Sequence, residues 1–313
     1  MAFLPSLKET LNIKTSAFLS KIAVFTSLIF TFSVQNVHAS EFQIGSGTMS
    51  LKGGIFGLES QVDSSVQVFT NREQHANLLE SNVFYNYSIS TYHSGQFSNE
   101  SNSLTTLGGG TVELPNTNYD WQGFDGQITL GYDVFKKGPF DYFGVGLSLG
   151  IAAPYIDNTG DSSGEPANSY PSLPSGSSQS VDFFASKTEL TGYKIGPKIV
   201  FGKSLNRLAS VYGEVSYATQ RVDVKNDTLR IATNISGDYF SYELGMRYQP
   251  ITIKKDLGFM TIEPSLYFTL AVNYAELNMD NLNVDLSGYN FNIESANMSA
   301  SSTTLNLGVG YNF

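Results

Sequence analysis

Six charged residues in the second half of this chain occupy alternate positions of segments whose intervening side chains are apolar. Lys194 and Lys198, for example, alternate with Tyr193, Ile195 and Ile199. The six residues are Lys194, Lys198, Glu214, Glu243, Arg247 and Glu263. Charged side chains that share an enclosed polar space are expected to pair, because an unpaired ion in a poorly hydrated interior is costly. The pattern leaves three interpretations open: a rigidifying salt-bridge network, a gate whose pairs exchange partners to admit small solutes, and a catalytic carboxylate pair.

The elements that must position these charges are β-strands. Apolar and polar side chains alternate with a period of two in eight segments, which is typical of strands wetted on one face. The segments span about 82–93, 121–135, 141–153, 188–201, 209–224, 230–248, 259–278 and 305–313. Short links near 136–140, 204–208 and 250–257 contrast with longer connections at 94–120, 156–187 and 279–297, and the short link at 225–229 is an exception. An even number of strands, with short turns at one end and long loops at the other, is typical of transmembrane barrels.

The last segment carries the most specific signal. Leu305, Leu307, Val309, Tyr311 and Phe313 share one face, and small polar residues share the other. A final strand that ends on Phe, with Tyr two residues earlier, resembles the closing strand of bacterial outer-membrane β-barrels. The chain resembles the small barrels of that superfamily, in the size class of OmpX, OmpW and the transmembrane domain of OmpA. The resemblance implies that Tyr311 and Phe313 form the recognition signal for the outer-membrane assembly machinery.

Residues 1–39 are predicted to be a cleaved signal peptide. The segment is basic, its apolar stretch runs over residues 22–32, and Val37-His38-Ala39 supplies a small-x-small cleavage pattern. The apolar stretch is shorter than the roughly 20 residues that a spanning helix needs. An N-terminal signal and a C-terminal closing strand together predict an integral protein of the Gram-negative outer membrane.

Charge and composition narrow the chemistry. The chain has 18 basic and 28 acidic residues, and removing three Lys and one Glu with the signal leaves 15 and 27, a net charge of −12. That balance argues against binding to nucleic acid, which needs a basic face. The absence of Cys excludes thiol catalysis, thiolate metal sites and disulfides. With three His residues and no Walker pattern, we expect no cofactor and no protein metal site.

Residues 40–80 fit the strand pattern poorly and have two interpretations. They form a periplasmic or lumen-plugging segment, or they supply extra strands to the wall. The fold prediction is therefore an all-β, closed antiparallel transmembrane β-barrel over residues 81–313, with eight strands and with ten as the alternative. Eight strands enclose a lumen just wide enough for side chains to fill.

The predicted function is that of a non-enzymatic outer-membrane protein, structural or permeable to small solutes. The alternative is a surface-interaction protein acting through long external loops, and a lipid A-modifying enzyme is a third hypothesis. His93 and Ser94 lie near the outer rim, but neighbours on a strand point to opposite faces, so they do not form a base–nucleophile pair. Expected partners are outer-membrane lipid, lipopolysaccharide, the assembly machinery and a small solute.

Overall fold

The wall of the molecule consists of ten long β-strands. The computed structural model describes residues 39–55, 58–75, 81–98, 103–105, 111–113, 117–135, 141–161, 187–226, 231–250, 255–256, 261–262, 265–286 and 289–312. The wall strands are β1 (Ala39–Ile55), β2 (Leu58–His75), β3 (Val83–Ser94), β4 (Thr117–Asp133), β5 (Tyr142–Ala152), β6 (Thr188–Ser204), β7 (Ala209–Asn226), β8 (Ile231–Tyr248), β9 (Leu266–Leu286) and β10 (Tyr289–Tyr311). Among these residues there is no helix of the length and apolarity required to cross a membrane.

The sheet closes on itself. Each wall strand pairs antiparallel with the next along the chain, and β10 pairs with β1 from Ser40↔Tyr311 to Gly54↔Asn297. When the register is followed once around the wall from Phe42, it returns to β1 at Gly54, 12 residues further on. A shear of this kind requires strands that are tilted by roughly 40° from the barrel axis. The prediction of a closed antiparallel all-β barrel is confirmed.

In the part of the chain that the structure describes, six short strands accompany the wall. Tyr155–Asp161 follows β5 and pairs with both β4 and β6, so it prolongs the wall beyond an interruption at Ala153 and Pro154. Phe97–Ser98 follows β3 and pairs with β4. The remaining four form two small hairpins, Ser103–Thr105 with Thr111–Glu113 and Lys255–Asp256 with Thr261–Ile262.

The prediction of eight strands is wrong: the wall has ten, the number that the sequence analysis gave as the alternative. The eight predicted segments coincide with parts of β3 to β10, whereas residues 40–80 contribute β1 and β2. The expected loop at 279–297 is also wrong, because β9 runs to Leu286 and β10 begins at Tyr289. The reason lies in the outer part of these strands, where the polarity of the two faces reverses.

The outer surface shows that reversal on β2. Close to one end of the barrel, Phe69 faces outward with 42% of its surface exposed, and Arg72 faces the lumen. Further along, Asp63 and Gln67 are exposed while Val66 is buried. We call the end that holds Ala39, Tyr311 and the turn at 205–208 the turn end, and the opposite end the loop end. The barrel is therefore apolar outside and polar inside towards the turn end, and the reverse towards the loop end.

The apolar outer surface forms a belt around the barrel. Its exposed large side chains include Ile44, Leu130, Tyr132, Val145, Leu147, Leu149, Ile195, Ile199, Val215, Leu244, Met246, Phe268, Leu270, Val272, Leu305 and Leu307. Apolar residues at alternate outward positions on consecutive strands are what a lipid-embedded barrel presents to acyl chains.

At the loop end the lumen is filled by an apolar plug, which consists of two clusters. Leu190, Val222, Ile235 and Met279 form the first cluster, and Met49, Val66 and Trp121 form the second. Met298 packs against both clusters, so they meet across the lumen. The barrel therefore has a hydrophobic core of its own above the belt.

Asp141, the residue before β5, binds the end of β6 at the turn end of the barrel. Its carboxylate accepts hydrogen bonds from Lys203 Nζ at 2.8 Å and from the Ser204 backbone N–H at 3.3 Å. These bonds, with that from Lys203 first, lower the pKa of Asp141 to about 2. The carboxylate therefore stays ionised, and the contact persists over the whole neutral and mildly acidic range.

Candidate functional site

The lumen holds the charged residues that the sequence singled out. Lys194, Lys198, Glu214, Glu243 and Arg247 all project from the inner surface of β6, β7 and β8, whereas Glu263 lies outside the described residues. Along β8, the inward residues run from Ile235 at the loop end through Tyr239 and Glu243 to Arg247 near the turn end. The period of two places all of them on one face, and it orders them along the axis of the barrel.

Glu41 forms the centre of the layer nearest the turn end. Its carboxylate accepts hydrogen bonds from Gln43 Nε2 at 2.6 Å, Thr269 Oγ1 at 2.9 Å and the Tyr267 hydroxyl at 3.2 Å. Arg247 Nε lies 3.9 Å from the same carboxylate. Glu41 is only 2% exposed. A buried carboxylate with this many donors is a fixed ion and not a mobile one.

The next layer joins β2 to β8 across the lumen. Arg72 Nη2 lies 2.5 Å and 2.7 Å from the two carboxylate oxygens of Glu243. Asn273 Nδ2 donates to the same carboxylate at 3.4 Å. The two charged side chains are 16% and 3% exposed, respectively. Because the partners come from distant strands, the ion pair bridges the barrel.

Aromatic rings fill the space between these layers. The guanidinium of Arg247 lies 4.4 Å from the ring centroid of Tyr212 and 5.5 Å from that of Tyr267. Both rings lie over glycines of the neighbouring strand: a Cβ added to Gly245 would come within 2.6 Å of the Tyr212 ring, and one added to Gly310 within 2.1 Å of the Tyr267 ring. Because these two positions carry no Cβ, the two rings can lie against them and pack beside the guanidinium of Arg247.

Two lysines on β6 form the pairs nearer the loop end. Lys198 Nζ lies 2.9 Å from Glu214 and 3.1 Å from Gln127 Oε1. Lys194 Nζ lies 2.5 Å from Asp125, and it sits 3.9 Å from the ring centroid of Tyr239. Each ammonium therefore has an acidic partner on an adjacent or nearby strand.

We refer to these eight residues as the lumen charge network. They are Glu41, Arg72, Asp125, Lys194, Lys198, Glu214, Glu243 and Arg247. Four are cations and four are anions, and each is within ion-pair distance of an opposite charge. Within the described ranges, no three acidic or His residues are grouped as metal ligands would be.

Sequence reasoning missed three members of the network. Glu41 and Arg72 lie on strands that the pattern did not assign, although Glu41 and Gln43 alternate with the outward-facing Phe42 and Ile44. The alternation within 121–135 puts Asp125 on an inward face, but its pairing with Lys194 depends on the register between strands, which the alternation does not give. The alternation of inward and outward residues over 41–47 is the sequence signal that could have identified β1 and placed Glu41 in the lumen.

A cavity of about 240 Å³ lies between the network and the apolar plug. Its lining includes Lys194, Asp125, Tyr239 and small hydroxyl-bearing residues such as Ser90 and Thr129. A space of this size holds several water molecules, each of which occupies about 30 Å³ in the liquid. The lumen therefore contains a space that is lined both by the charged network and by residues of the apolar plug, such as Met49 and Leu190.

His93 and Ser94 are not brought together. His93 is exposed on the outer surface, whereas Ser94 is fully buried and its Oγ accepts a hydrogen bond from the Trp121 backbone N–H at 2.8 Å. Ser94 thus has a structural partner beside the apolar plug. Tyr311 is the last residue of β10, and Phe313 lies outside the described residues, so their role as an assembly signal stays a prediction.

Comparison with known proteins identifies the architecture. No protein-family model matches the sequence, and no curated protein matches it. The outer membrane protease OmpT from Escherichia coli is 10% identical with a TM-score of 0.50, and the match covers 88% of this chain and 97% of that chain. Ail, the attachment invasion locus protein of Yersinia pestis, is 12% identical with a TM-score of 0.29, covering 88% of this chain and 99% of that chain. Neisserial surface protein A is 11% identical with a TM-score of 0.28, covering 87% of this chain and 97% of that chain.

Proposed function

We propose that the chain is an integral outer-membrane β-barrel, and that it is a sealed barrel that works at the cell surface. In this proposal the barrel is not an open diffusion channel. Its membrane-embedded half anchors the protein, and the wall that extends beyond the belt presents a rigid polar surface to the exterior. The ion pairs and the apolar clusters that cross the lumen support the first part, and the reversed polarity of the outer wall supports the second.

In this proposal the lumen is closed at two levels, by ion pairs near the turn end and by apolar side chains at the loop end. Near the turn end, Arg72 and Glu243 span the lumen, and Glu41 and Arg247 fill the layer below them. At the loop end, Met298 joins the two apolar clusters. An ion that crossed the barrel would have to break buried ion pairs and then enter an apolar plug, and both steps are costly. We therefore expect little or no passive conductance.

The extended wall provides the working surface. On β2 and β7, outward residues beyond the belt are polar or charged: they include Asp63, Gln67, Arg221 and Asp223. A wall that only anchored the protein would not need to continue past the lipid with its own hydrophobic core. Rigid elements that project from a membrane also hold loops in place, and loops carry most binding residues.

Conductance in planar bilayers tests the sealed lumen. We expect the wild-type protein to give no steps or only small, brief ones. The double variant Glu243→Ala/Met298→Ala removes one element of each closure, and it should give longer openings of higher conductance. The two single variants are the controls, because in each of them one closure remains. Large, stable steps from the wild-type protein would contradict the proposal.

Loop replacement tests the surface role. Residues 163–180 are rich in Ser, Gly and Pro, which is typical of an exposed loop. Replacing them with a short Gly-Ser linker should abolish the binding of expressing cells to an immobilised panel of host glycans and matrix proteins. Heat-modifiable migration of the barrel on gels should remain. Unchanged binding, or binding that is absent from the wild type, would count against a surface-interaction role.

A second candidate is the gated passage of small polar solutes. The cavity of about 240 Å³ favours it, because a permanently sealed barrel does not require an open space in its lumen. Passage would require the charge pairs of the lumen, including Arg72–Glu243, to exchange partners. We also retain the expectation that the protein is not an enzyme, including on lipid A.

A further inference from the structure

The inner wall of the barrel carries a band of small hydroxyl side chains between the charged layers and the apolar plug. On β2, Thr70 lies between Arg72 of the network and Val66 of the plug, and all three face the lumen. On β10, Ser302 lies on the same inward face as Met298. The members of this hydroxyl band, all half-buried and all lining the cavity, are Thr70, Ser88, Ser90, Ser241 and Ser302. Because these side chains are short, they leave open a space that longer side chains would fill.

The charged side chains that border the cavity from the opposite wall are already paired. Lys194 Nζ lies 2.5 Å from Asp125, and Lys198 Nζ lies 2.9 Å from Glu214. The lysine side chains are only 2% and 5% exposed, whereas those of Asp125 and Glu214 are 28% and 29% exposed. The carboxylates are therefore accessible from the lumen as hydrogen-bond acceptors, but each has an ammonium beside it that repels a second cation. A bound ion of either sign would be buried without a free counter-charge, which is costly.

The size of the cavity suits a six-membered ring. A cavity of about 150 Å³ holds benzene, and the cavity in this lumen measures about 240 Å³. Water in such a space hydrogen-bonds to the polar wall, and a ligand displaces it without loss only where the ligand reproduces those bonds. Hydroxyl groups both donate and accept, as the Ser and Thr side chains of the band do. The site therefore favours a neutral ring that carries several hydroxyl groups.

We propose that the lumen cavity is a binding site for a neutral polyhydroxylated molecule of monosaccharide size. Its hydroxyl groups bond to the hydroxyl band on one side and to the carboxylates of Asp125 and Glu214 on the other. Thr70 Oγ1 and Ser90 Oγ lie 2.9 Å apart, so neighbouring hydroxyls of the band are close enough to contact adjacent hydroxyl groups of one ring. The inference deepens the second candidate function, on which any exchange of solute rests, but the site itself is present in a sealed barrel as well.

Refolding in the presence of a labelled sugar tests the site without requiring the lumen to open. The probe is radiolabelled methyl α-D-glucoside, which is present while urea-unfolded protein refolds into detergent micelles, and equilibrium dialysis measures its retention. We expect stoichiometric retention by the wild-type protein. The amino and carboxylate analogues of the same glycoside, in their charged forms, should bind at least about tenfold more weakly, because their charges find no free counter-charge. No retention of the neutral probe, or stronger retention of either charged analogue, overturns the proposal.

Filling the cavity shows whether the retained probe lies in it. Ser302→Leu places a larger side chain in the cavity, so retention should fall at least about tenfold while heat-modifiable migration remains. Thr303→Leu is the matched control, because Thr303 is the neighbouring residue on the exposed outer face, and it should retain the probe as the wild type does. Should Ser302→Leu fail to fold, the smaller Ser302→Val takes its place. Equal retention by the filled variant and the wild type overturns the proposal and indicates an adventitious additive only.

Mixing the probe with protein that is already folded separates this inference from the proposed function. Retention after refolding but not after mixing supports both the site and the sealed lumen. Retention by both routes supports the site together with gated passage. No retention by either route overturns the site and leaves the sealed lumen to the conductance measurements.

Discussion

Individual residues of the lumen behave as members of pairs, and the cost of changing one depends on what is left behind. Arg72 and Glu243 illustrate this, because both are largely buried and each is the main charged partner of the other. Removing one leaves an uncompensated ion in the lumen, whereas removing both leaves none. The stability of the barrel should therefore be strongly non-additive at these two positions.

We predict that Arg72→Met lowers the free energy of unfolding by about 3 kcal/mol. The double variant Arg72→Met/Glu243→Met should lose clearly less than the single variant. Urea unfolding in detergent micelles measures both, with fluorescence of Trp121, the single Trp and a buried one, as the signal. Lys203→Met is the control: its pair with Asp141 is exposed, so we expect a change below about 1 kcal/mol. Equal stability of Arg72→Met and the wild type would refute the bridging role.

The glycine beneath the Tyr212 ring leads to a second prediction about single residues. Gly245→Ala places a Cβ 2.6 Å from the Tyr212 ring, which must then move away from Arg247. Overpacking of this kind costs about 1–3 kcal/mol. The same change should cost much less in a Tyr212→Leu background, where no ring lies over the glycine. Equal losses in the two backgrounds, measured by the same urea unfolding, would show that the ring does not determine the need for glycine.

Much of the site could be predicted at the level of single residues. Period-two alternation puts Lys198 and Glu214 on the inner surface, and counting from the turn at 204–208 puts them within two residues of direct opposition; Lys198 Nζ lies 2.9 Å from the Glu214 carboxylate. The partners of Arg247 and Glu243 could not be predicted in this way. They are Glu41 and Arg72, which belong to strands that come from the far end of the sequence and meet β8 only across the lumen.

At the scale of elements, two strands escaped detection because their faces change character along their length. β1 has outward Phe42 and Ile44 near the turn end, but its outward Thr48 is polar and its inward Met49 is buried. An apolar residue therefore moves from the outer face to the inner face within one strand. A search for alternation that assumes one apolar face along the whole strand therefore ends the strand where the two faces reverse.

One segment that was expected to be a loop is part of the wall. The segment 279–297 is rich in Asn and Asp, which is typical of connections. In the barrel, β9 and β10 continue as a pair through this segment, with Asp285↔Asn290 and Leu286↔Tyr289 as the last partners. A strand of polar composition is compatible with a sheet where the sheet extends beyond the lipid into water. Composition alone does not distinguish such a strand from a loop.

At the scale of the whole molecule, the barrel combines two environments in one sheet. Towards the turn end it follows the rules of a membrane barrel, with an apolar exterior and a polar lumen. Towards the loop end it follows the rules of a soluble sheet, with polar residues outside and Leu190, Val222 and Met279 packed inside. The lipid belt anchors the first half, and the apolar plug holds the second half together. This division supports a surface role better than a transport role.

Cross-linking across the closing seam tests the central claim, a ten-stranded wall in which β1 pairs with β10, most directly. Thr48 and Thr303 are register partners on the outer surface, so their Cα atoms are about 5 Å apart, within the range that a disulfide spans. We predict that Thr48→Cys/Thr303→Cys forms an internal cross-link upon oxidation or with a short bis-alkylating reagent. Thr48→Cys/Thr91→Cys should not, because β2 separates the two strands by roughly 10 Å. Failure of the first pair to cross-link in the folded protein, or equal cross-linking of both pairs, would contradict the closed ten-stranded barrel.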